Sequence, residues 1–309
     1  MMPVLNEEKH LQQAVASVFA QEIPTGFSAE VILALGPSSD KTDSVATALS
    51  KSHKNLKTVA NPSGLTSAGL NLAIGLAAGE VIVRVDAHSK LTAGYVKTAV
   101  EILESNSKTG NVGGVMRAEG EDDFTSAVAW AYRSRYGLGG GKFHTGGEAG
   151  PVDTVYLGVF RKSVLEEAGL FDQAVVRGQD WELNQRIRAL GHLVWFDPRL
   201  EVVYQPRSSW KELASQFYKT GLWRGKLSRK DLSNVSAKYL APPLLVILTV
   251  FFIPLWFYLV AIGVIAATAK LPASTKLHLM LVLPTMHYTW GVGFIAGVLF
   301  PDLAKPGDQ

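Results

Sequence analysis

The sequence predicts an α/β protein whose mostly parallel β-sheet is flanked by helices and followed by an apolar carboxyl-terminal region. The first observation is that short apolar runs alternate with amphipathic runs of helical period along most of the chain. The second is that polar residues follow the ends of several apolar runs, which is where ligands bind in open sheets. The third is that long charge-free stretches dominate the sequence after residue 239.

Strand and helix patterns alternate regularly at the start of the chain. The predicted strands are Met2–Leu5, Glu30–Leu35, Leu56–Ala60 and Val81–Val85, and the helices between them are Glu8–Gln21, Asp43–Ser50 and Thr66–Ala78. This βαβαβ order predicts parallel neighbouring strands with helices on the faces of the sheet. The first strand is short, and we expect the true start of the protein to lie upstream of Met1.

The pattern continues with longer elements and one glycine-rich loop. A helix is predicted at Ala93–Glu104, a strand at Val112–Arg117 and a helix around Ser126–Tyr136, before the loop Gly137–Gly150. A loop of this composition is either a flexible connector or a lid over a site, and the sequence leaves both interpretations open. Further strand patterns then flank a helix that begins after Gly178, and a basic amphipathic helix precedes the apolar region.

The sequence divides into four segments. They are a domain at residues 1–210, a basic amphipathic segment at 211–238, an apolar region at 239–301 and a short tail at 302–309. The apolar region holds two candidate membrane spans, residues 240–269 and 277–300, and each is longer than the about 20 residues that cross a bilayer. The alternative for the first stretch is a hairpin of two short helices centred on Pro254.

Charge and composition limit the location and the partners. Lysines and arginines cluster just before the first candidate span, which predicts a multi-pass protein of the cell membrane with its amino-terminal domain in the cytoplasm. The start of the sequence has no signal-peptide pattern, in agreement with that location. The chain contains 0 cysteines, which excludes disulfides, cysteine-ligated zinc and a thiol nucleophile. The net charge of +3 is too small to indicate nucleic-acid binding.

An acid and a histidine follow directly after the apolar strand Val81–Val85. An isolated pair such as Asp86 and His88 is usually an acidic turn with a surface histidine. Here Asn6 and Glu7 end another strand of the predicted sheet at the same edge, so we expect these residues to converge. A divalent cation, Mn²⁺ or Mg²⁺, takes one or two protein ligands and completes its shell with phosphate and water. We therefore predict that Asp86 and His88 bind a metal–diphosphate group.

A second group of acids lies at the start of a helix, where Asp180 and Glu182 flank Trp181. Acids in a first turn are commonly capping residues that the helix dipole stabilises. The other interpretation is a base that removes a proton from a sugar hydroxyl. The cation cluster at residues 219–230, which includes Arg224, could bind anionic lipid or neutralise a departing diphosphate, and both interpretations stay open.

Four stretches in this order resemble the family 2 glycosyltransferases. They read PVLNEEKHL, NPSGLTSAGLNLAIGLAAGEVIVRVDAHS, YLGVFRKSVLEEAGLFD and GQDWELNQRIRALG. The resemblance covers nearly the whole chain and is greatest to the membrane-attached succinoglycan-biosynthesis enzymes of the ExoA type. It implies a GT-A fold, which is a Rossmann-like nucleotide-sugar-binding fold, together with a divalent cation and inversion at the anomeric carbon.

The resemblance also implies roles for individual residues. Asn6 and Glu7 would lie beside the nucleotide of the sugar donor. Asp86 would replace the first acid of the family's D-x-D motif and contact the metal–diphosphate, with His88 in the third position. Asp180 matches the catalytic base of the family.

We also predict roles for the second group of residues and for the cation cluster. Trp181 and Glu182 would bind the acceptor, and Arg224 would contact the nucleotide-sugar diphosphate. The donor would be a UDP- or GDP-sugar, and the acceptor a lipid-linked sugar or a polysaccharide in cell-envelope or exopolysaccharide synthesis.

Three departures from the family pattern limit what the resemblance implies. Leu35–Ser38 stands where many relatives have D-D-G-S, which leaves the nucleotide open. Gln179 replaces the glutamate before the candidate base. The Q-x-x-R-W motif of processive synthases is missing, so we expect transfer of a single sugar. The alternative to an enzyme is a catalytically silent GT-A-like scaffold of a membrane polysaccharide-assembly complex.

Overall fold

The computed structural model describes residues 1–230, 237–251 and 254–304. The chain divides into two compact units, each built from two stretches of sequence. Unit 1 comprises Met1–Arg117 and Thr145–Tyr204, and unit 2 comprises Ala118–His144 and Gln205–Gln309. The segment boundaries at residues 210 and 238 remain predictions.

The α/β class predicted from the sequence is confirmed. The strands, in chain order, are β1 (Met2–Val4), β2 (Val31–Leu35), β3 (Leu56–Ala60), β4 (Val81–Val83), β5 (Ser89–Leu91), β6 (Thr109–Ala118), β7 (Gly150–Pro151), β8 (Tyr156–Arg161) and β9 (Leu193–Tyr204). The helices up to β9 are α1 (Leu11–Phe19), α2 (Thr42–Ser52), α3 (Thr66–Leu76), α4 (Tyr95–Ser105), α5 (Asp123–Arg133), α6 (Lys142–Thr145), α7 (Lys162–Glu167) and α8 (Gln179–Ala189). The remaining helices are α9 (Trp210–Lys230), α10 (Ala237–Phe251), α11 (Leu255–Thr268) and α12 (Ala273–Leu299).

Unit 1 contains a 3-stranded sheet and a 6-stranded sheet that meet at Met1. Strands β1, β2 and β3 pair in parallel, and β4, β8, β6, β9 and β5 follow one another in a second run. Main-chain bonds join the two runs, because the Met1 amine donates to the Val83 carbonyl oxygen (2.7 Å) and the Val85 N–H donates to the Met1 carbonyl oxygen (3.0 Å). This pattern is that of parallel neighbours. The strand orders are β1-β2-β3 and β4-β8-β6-β9-β5, and these bonds place the start of β1 beside the end of β4.

The prediction of a mostly parallel sheet is wrong beyond β4. Strands β4 and β6 both pair with β8 in antiparallel orientation, and β5 and β7 both pair with β9 in the same way. Parallel pairing needs a crossover, usually helical, between successive strands. After β4 the regular alternation is interrupted, because no helix within the described residues 1–230 separates β4 from β5 or β7 from β8.

Helices α1 and α4 cover the core of this sheet. Leu11 and Val15 of α1 and Tyr95 and Leu103 of α4 are buried against the apolar strand residues. Apolar surface that is buried in this way contributes about 25 cal/mol per Å² to stability, so this face stabilises the unit. The helices thereby hold the carboxyl ends of β1 and β4 at fixed positions.

A cavity of about 610 Å³ lies within unit 1, near the amino-terminal halves of β2 and β4. Apolar side chains including Val18, Phe19 and Ile82 line most of it, with Glu30 among the polar residues. None of the predicted site residues belongs to the lining. The candidate site is therefore a different place, at the other ends of these strands.

Unit 2 is a helical assembly in which α9 and α12 approach each other through glycines. A Cβ atom added to Gly221 would lie 2.1 Å from the Trp290 carbonyl oxygen, and one added to Gly297 would lie 2.0 Å from the Leu222 carbonyl oxygen. Any side chain at either position would collide with main-chain atoms of the other helix. The glycines therefore let the two backbones touch, as small residues do in closely packed helix pairs.

The two predicted membrane spans form different numbers of helices. The first stretch forms two helices, α10 of 15 residues and α11 of 14 residues, on either side of Pro254. Pro254 has an extended conformation (φ −56°, ψ 131°) directly before α11, so it is not part of a helix. Among the described residues only α12, with 27 residues, is long and apolar enough to cross a membrane. The multi-pass prediction is therefore unsupported, and the hairpin alternative agrees with the helix break.

Candidate active site

The loops after β1 and β2 are bonded to each other at the edge of the sheet. Asn6 adopts a left-handed conformation (φ 56°), which asparagine tolerates better than most residues. Its Oδ1 accepts a hydrogen bond from the Ser39 N–H (2.8 Å), and its own N–H donates to the Ser38 hydroxyl (3.0 Å). The Glu7 N–H donates to the Thr42 hydroxyl (2.7 Å). Asn6 and Glu7 are thus held by the turn that stands where relatives have D-D-G-S.

Glu7 connects this loop to the polar turn after β4. Its Oε1 lies 2.7 Å from Nδ1 of His88. The His88 side chain is one-third exposed and the Glu7 side chain is mostly covered. The structure therefore brings together three of the residues that the sequence predicted to converge, Asn6, Glu7 and His88.

Asp86 is bonded to a cation that lies two residues before it. Nη2 and Nε of Arg84 donate to its Oδ1 at 3.1 and 3.3 Å. Arg84 is buried with 4% of its surface exposed, although it belongs to an apolar run. The ring face of Phe171 lies 5.8 Å from the guanidinium carbon.

The same guanidinium also contacts Asp180, which is 96 residues away in the sequence. Nη1 of Arg84 donates to Oδ1 of Asp180. The candidate metal-binding acid and the candidate base are therefore attached to different nitrogens of one planar group. Because the guanidinium is rigid and its donors point in fixed directions, it sets the separation and orientation of the two carboxylates.

Burial raises the pKa of Asp180 to about 6, even though the charge of Arg84 acts in the opposite direction and that of Asp86 adds to the rise. About a quarter of the side chain, 26%, remains accessible. A carboxylate in such a setting is ionised at neutral pH and holds a proton more firmly than an exposed aspartate does. That combination suits a group that accepts a proton from a hydroxyl.

Helix α8 carries Asp180 in its first turn. It begins after Gly178, whose left-handed conformation (φ 79°) allows the sharp entry. Asn184, one turn further on, accepts from Nδ2 of Asn111 (2.7 Å) and donates to the Thr154 hydroxyl (2.9 Å). These buried bonds anchor the helix to β6 and to the loop before β8. The position of Asp180 thus depends on both the turn and the anchor.

The two predicted acceptor-binding residues lie beside the base in the same turn. Glu182 accepts two hydrogen bonds from Arg186, at 2.6 and 2.7 Å, and Arg186 also donates to the Leu170 carbonyl oxygen (2.8 Å). Glu182 therefore helps to hold the turn before the helix. Trp181 is partly buried. Their roles toward an acceptor remain predictions.

Arg224 belongs to unit 2, where it lies on α9. Its guanidinium carbon is 4.5 Å from the centre of the Tyr239 ring, in a cation–π arrangement. Two neighbours in the cation cluster bind main-chain oxygens, since Lys226 donates to the Ala304 carbonyl (2.8 Å) and Arg229 to the Val298 carbonyl (3.0 Å). One of these carbonyls belongs to the last turn of α12, and the other follows the helix by five residues. The diphosphate role of Arg224 stays a prediction.

Sequence reasoning missed Arg84. The signal was present as a single cation inside the run Val81–Val85, where a buried strand leaves no place for an unpaired charge. A buried cation needs acids nearby, and one of them, Asp86, was already among the predicted site residues. The other acid could be found only in the folded chain.

The acid at the end of β4 fits a divalent cation that is completed by substrate. In the part of the chain that the structure describes, no group of three or more His, Asp or Glu side chains could hold a metal by itself. Mg²⁺ and similar hard cations commonly take one or two carboxylates and fill the remaining positions with phosphate and water. Asp86, one-fifth exposed, and the adjacent His88 satisfy that requirement.

Several solved structures share the fold of this chain. The mannosyltransferase PcManGT from Pyrobaculum calidifontis, in complex with GDP-Man and Mn²⁺, has a TM-score of 0.61 at 18% identity, covering 97% of this chain and 86% of that one. Residues 1–349 of S. aureus TarS in complex with UDP give 0.55 at 14% identity, covering 96% and 89%. At these identities the likeness establishes the fold alone, which is the GT-A fold.

Sequence comparison identifies the family. The succinoglycan biosynthesis protein ExoA of Rhizobium meliloti (strain 1021) is 27% identical over 244 residues, 78% of this chain and 73% of that protein. The dolichyl N-acetyl-alpha-D-glucosaminyl phosphate 3-beta-D-2,3-diacetamido-2,3-dideoxy-beta-D-glucuronosyltransferase of Methanococcus voltae is 26% identical over 310 residues, 97% and 96%. The profile of glycosyl transferase family 2 matches residues 1–169, more than half of the sequence. The chain therefore belongs to glycosyl transferase family 2.

Proposed function

We propose that this protein is an inverting hexosyltransferase that moves a single sugar from a UDP- or GDP-sugar to a lipid-linked or polysaccharide acceptor. The observation that carries the proposal is the pairing of Asp86 and Asp180 on one buried guanidinium, that of Arg84. Inversion needs a base on the acceptor side and charge stabilisation on the opposite side of the sugar. Two carboxylates held apart by a rigid cation meet both requirements.

The donor would bind at the strand ends. Asp86 and His88 would hold the divalent cation, Mn²⁺ or Mg²⁺, through the donor's diphosphate, and Asn6 and Glu7 would lie beside the nucleotide. When bound, the cation supplies positive charge that stabilises the departing diphosphate. The bond between Glu7 and His88 would fix the orientation of the imidazole.

The acceptor hydroxyl would approach Asp180. Its raised pKa of about 6 lets it take the hydroxyl proton as the bond to the anomeric carbon forms. Trp181, adjacent in the same turn, would cover the acceptor ring, and Glu182 would stay paired with Arg186 beneath it. Arg84 acts through the two acids as a positioning residue. Arg224 of the cation cluster would contact the diphosphate.

Attachment to the cell membrane, with unit 1 on the cytoplasmic side, fits the apolar helices of unit 2. One relative is named as a succinoglycan biosynthesis protein and the other as acting on a dolichyl-linked sugar phosphate. Both names support an acceptor in glycan synthesis, and the second supports a lipid-linked one. A detergent-solubilised enzyme that prefers a free sugar to a lipid-linked acceptor would contradict this part.

The test is a set of acid-to-amide variants of the full chain, assayed with Mn²⁺ and either UDP or GDP by calorimetry and with nucleotide-sugars for turnover. We expect Asp86→Asn to lose metal-dependent nucleotide binding. Asp180→Asn is expected to bind the nucleotide normally and to transfer about 10³-fold more slowly, within the range for loss of a general base. Glu104→Gln, an acid-to-amide change at an exposed position of α4, serves as the matched control.

Three results would contradict the proposal in whole or in part. Nucleotide binding that is unaffected by Asp86→Asn would remove the donor site from the end of β4. Wild-type protein that binds no nucleotide with Mn²⁺ would favour the rival interpretation, a silent GT-A-like scaffold in a polysaccharide-assembly complex. A retained configuration at the anomeric carbon of the product would exclude inversion while leaving the donor site intact.

A further inference from the structure

Unit 2 exposes a large apolar surface on two helices. From Leu240 to Ala269 the sequence has no charged residue. Phe251 at the end of α10 is 72% exposed, and Val264 of α11 is 59% exposed. Monomeric soluble proteins rarely leave contiguous apolar surface of this extent in water. The surface therefore requires a cover.

Among the described residues, which leave out 231–236 and 252–253 on either side of α10, neither of these helices is long enough to cross a bilayer. Helix α10 has 15 residues and α11 has 14, which correspond to about 22 and 21 Å of axial length at the α-helical rise. The hydrocarbon core is about 30 Å thick. Pro254 stands between the two helices, so they do not add up to one straight span.

Helix α12 is long enough, about 40 Å, but polar contacts are spaced along it. Near its start the Thr275 hydroxyl donates to Asp123 of α5 (2.5 Å). At its middle Nε2 of His287 lies 2.7 Å from the Tyr136 carbonyl oxygen. At its end the carbonyl of Val298 accepts from Arg229. No stretch of about 20 residues in this helix lies clear of these contacts and of α9.

Helix α9 cannot enter hydrocarbon alongside it. The backbones of α9 and α12 touch at Gly221, Gly225, Gly293 and Gly297, so the two helices keep the same direction. Charged residues occur along the whole length of α9, namely Lys211, Glu212, Lys219, Arg224, Lys226, Arg229 and Lys230. Charged side chains at the centre of a bilayer are costly. If α12 stood across a membrane, α9 would carry these charges in with it.

We propose that unit 2 docks on a single leaflet of an anionic bilayer and does not cross it. Helices α10 and α11 and the exposed face of α12, with Leu277 and Leu281, lie at the boundary between headgroups and acyl chains. The two charged residues between Ala269 and Leu277, Lys270 and Lys276, are both positive, which complements anionic headgroups. This inference rests on the membrane attachment proposed above and specifies its mode.

Sidedness distinguishes the two modes, and the absence of cysteine makes it measurable. Three single-cysteine variants of the full chain would be expressed and labelled with a membrane-impermeant maleimide in sealed inverted membrane vesicles. Ser52→Cys reports the side of unit 1, while Ala273→Cys and Asp302→Cys lie before and after α12. We expect all three to label to the same extent before detergent is added. Protection of either Ala273→Cys or Asp302→Cys until the vesicles are opened would mean that α12 spans, and would overturn the proposal.

Vesicle binding shows whether the protein attaches to membranes at all, independently of whether it docks on a single leaflet. Purified protein would be sedimented with phosphatidylcholine vesicles with or without phosphatidylglycerol. Tighter binding to the anionic vesicles is expected, and equal binding would contradict the charge complementarity. Val264→Asp should lower the bound fraction about tenfold because it places a charge in the apolar face. Leu190→Asp, at a position of unit 1 that is 43% exposed, is the matched control and should bind as wild type does.

If the wild-type protein binds neither kind of vesicle and is absent from the membrane fraction of cells, membrane attachment itself fails. In that case the proposed transfer reaction would still stand on its own test with soluble nucleotide-sugar. If the protein binds membranes but the three cysteine variants label to different extents, only the single-leaflet mode fails.

Discussion

The two units of this protein place their cations in contrasting surroundings. In unit 1 a single arginine, Arg84, lies buried in an apolar strand, and two carboxylates that matter for the proposed chemistry share it. In unit 2 many cations lie on one helix, and two of them, Lys226 and Arg229, bond to the main-chain carbonyl oxygens of Ala304 and Val298. These two members of the cluster thus support packing. Arg84, which is isolated in the sequence, joins the two acids of the candidate site.

Replacement of one cation in each unit by lysine gives the largest expected difference. Lysine keeps the charge but cannot bond to two carboxylates in fixed directions. We expect Arg84→Lys to lower kcat about 100-fold, because small misplacements of reacting groups have effects of this size. Arg229→Lys, the matched change, should leave kcat within about twofold, since an ammonium can also donate to a carbonyl.

Steady-state kinetics with the donor and thermal unfolding of both variants check this prediction. A positioning role requires that the donor KM change much less than kcat, and that Arg84→Lys remain folded at the assay temperature. Arg84→Gln would then be slower still. If Arg84→Lys and Arg229→Lys prove equally active, the contrast between the units has no functional meaning.

The pH dependence of transfer sharpens the same contrast on the side of unit 1. Burial raises the pKa of Asp180 to about 6 from the usual 3.8, so the carboxyl is protonated below about pH 6 and cannot act as a base there. We expect kcat to fall about tenfold for each pH unit below that value, and to level off above it. Nucleotide binding measured over the same range separates this effect from loss of the donor.

A flat kcat profile between pH 4 and pH 7, expected for a base with an ordinary aspartate pKa of about 4, would contradict the assignment of Asp180. A fall that is matched by a fall in nucleotide binding would point to the donor site and away from the base.

The glycine contacts of unit 2 predict an effect on stability that does not depend on the chemistry. An alanine at Gly221 would place its Cβ 2.1 Å from the Trp290 carbonyl oxygen. We expect the helices to separate and the free energy of unfolding to fall by about 2 kcal/mol, as with other overpacking substitutions. Gly263→Ala on α11 is the matched control, because a Cβ there has no neighbour within 4 Å.

Denaturant or thermal unfolding of the full chain in the same detergent measures this difference. Alanine at residue 263 should leave stability unchanged or raise it by up to about 1 kcal/mol through helix propensity. Equal effects of the two substitutions would mean that α9 and α12 are not in backbone contact.

The smallest expected effect concerns Glu182, which the sequence assigned to the acceptor. Its bidentate bond to Arg186 is partly exposed, so Glu182→Gln should cost about 1 kcal/mol of stability or less. The acceptor KM should change less than about threefold if the pairing is its main role, since an amide still accepts from Arg186. A tenfold rise in acceptor KM at unchanged stability would instead place Glu182 in the acceptor site.

Much of unit 1 could be predicted because its signals are local. The strands of the β-α-β start, the polar turn after Val83 and the acids at the first turn of α8 all follow from a few consecutive residues. For that reason the sequence predicted the site residues Asn6, Glu7, Asp86, His88 and Asp180. Strand direction after β4 was not predictable, since antiparallel and parallel partners have similar residue patterns when both faces are covered.

Unit 2 illustrates the limit of composition. Length and apolarity predicted two spans, yet one stretch forms two short helices around Pro254 and the other packs along a charged helix. The hydropathy of a segment depends on its composition alone. It does not show which neighbouring elements the faces of the helix contact. The glycines that bring α9 and α12 together are far apart in the sequence. Gly221 and Gly293, for example, are 72 residues apart, so no local sequence window includes both.

The sequence by itself determined the α/β class, the family and the acids at the ends of strand and helix, because each depends on neighbours along the chain. Only the tertiary structure decided that Arg84 joins Asp86 to Asp180 and that α12 is covered on one side by α9. Both are contacts between residues that are distant in the sequence. A buried charge, or a helix backbone exposed at glycines, is tolerated only where the fold brings its partner into contact.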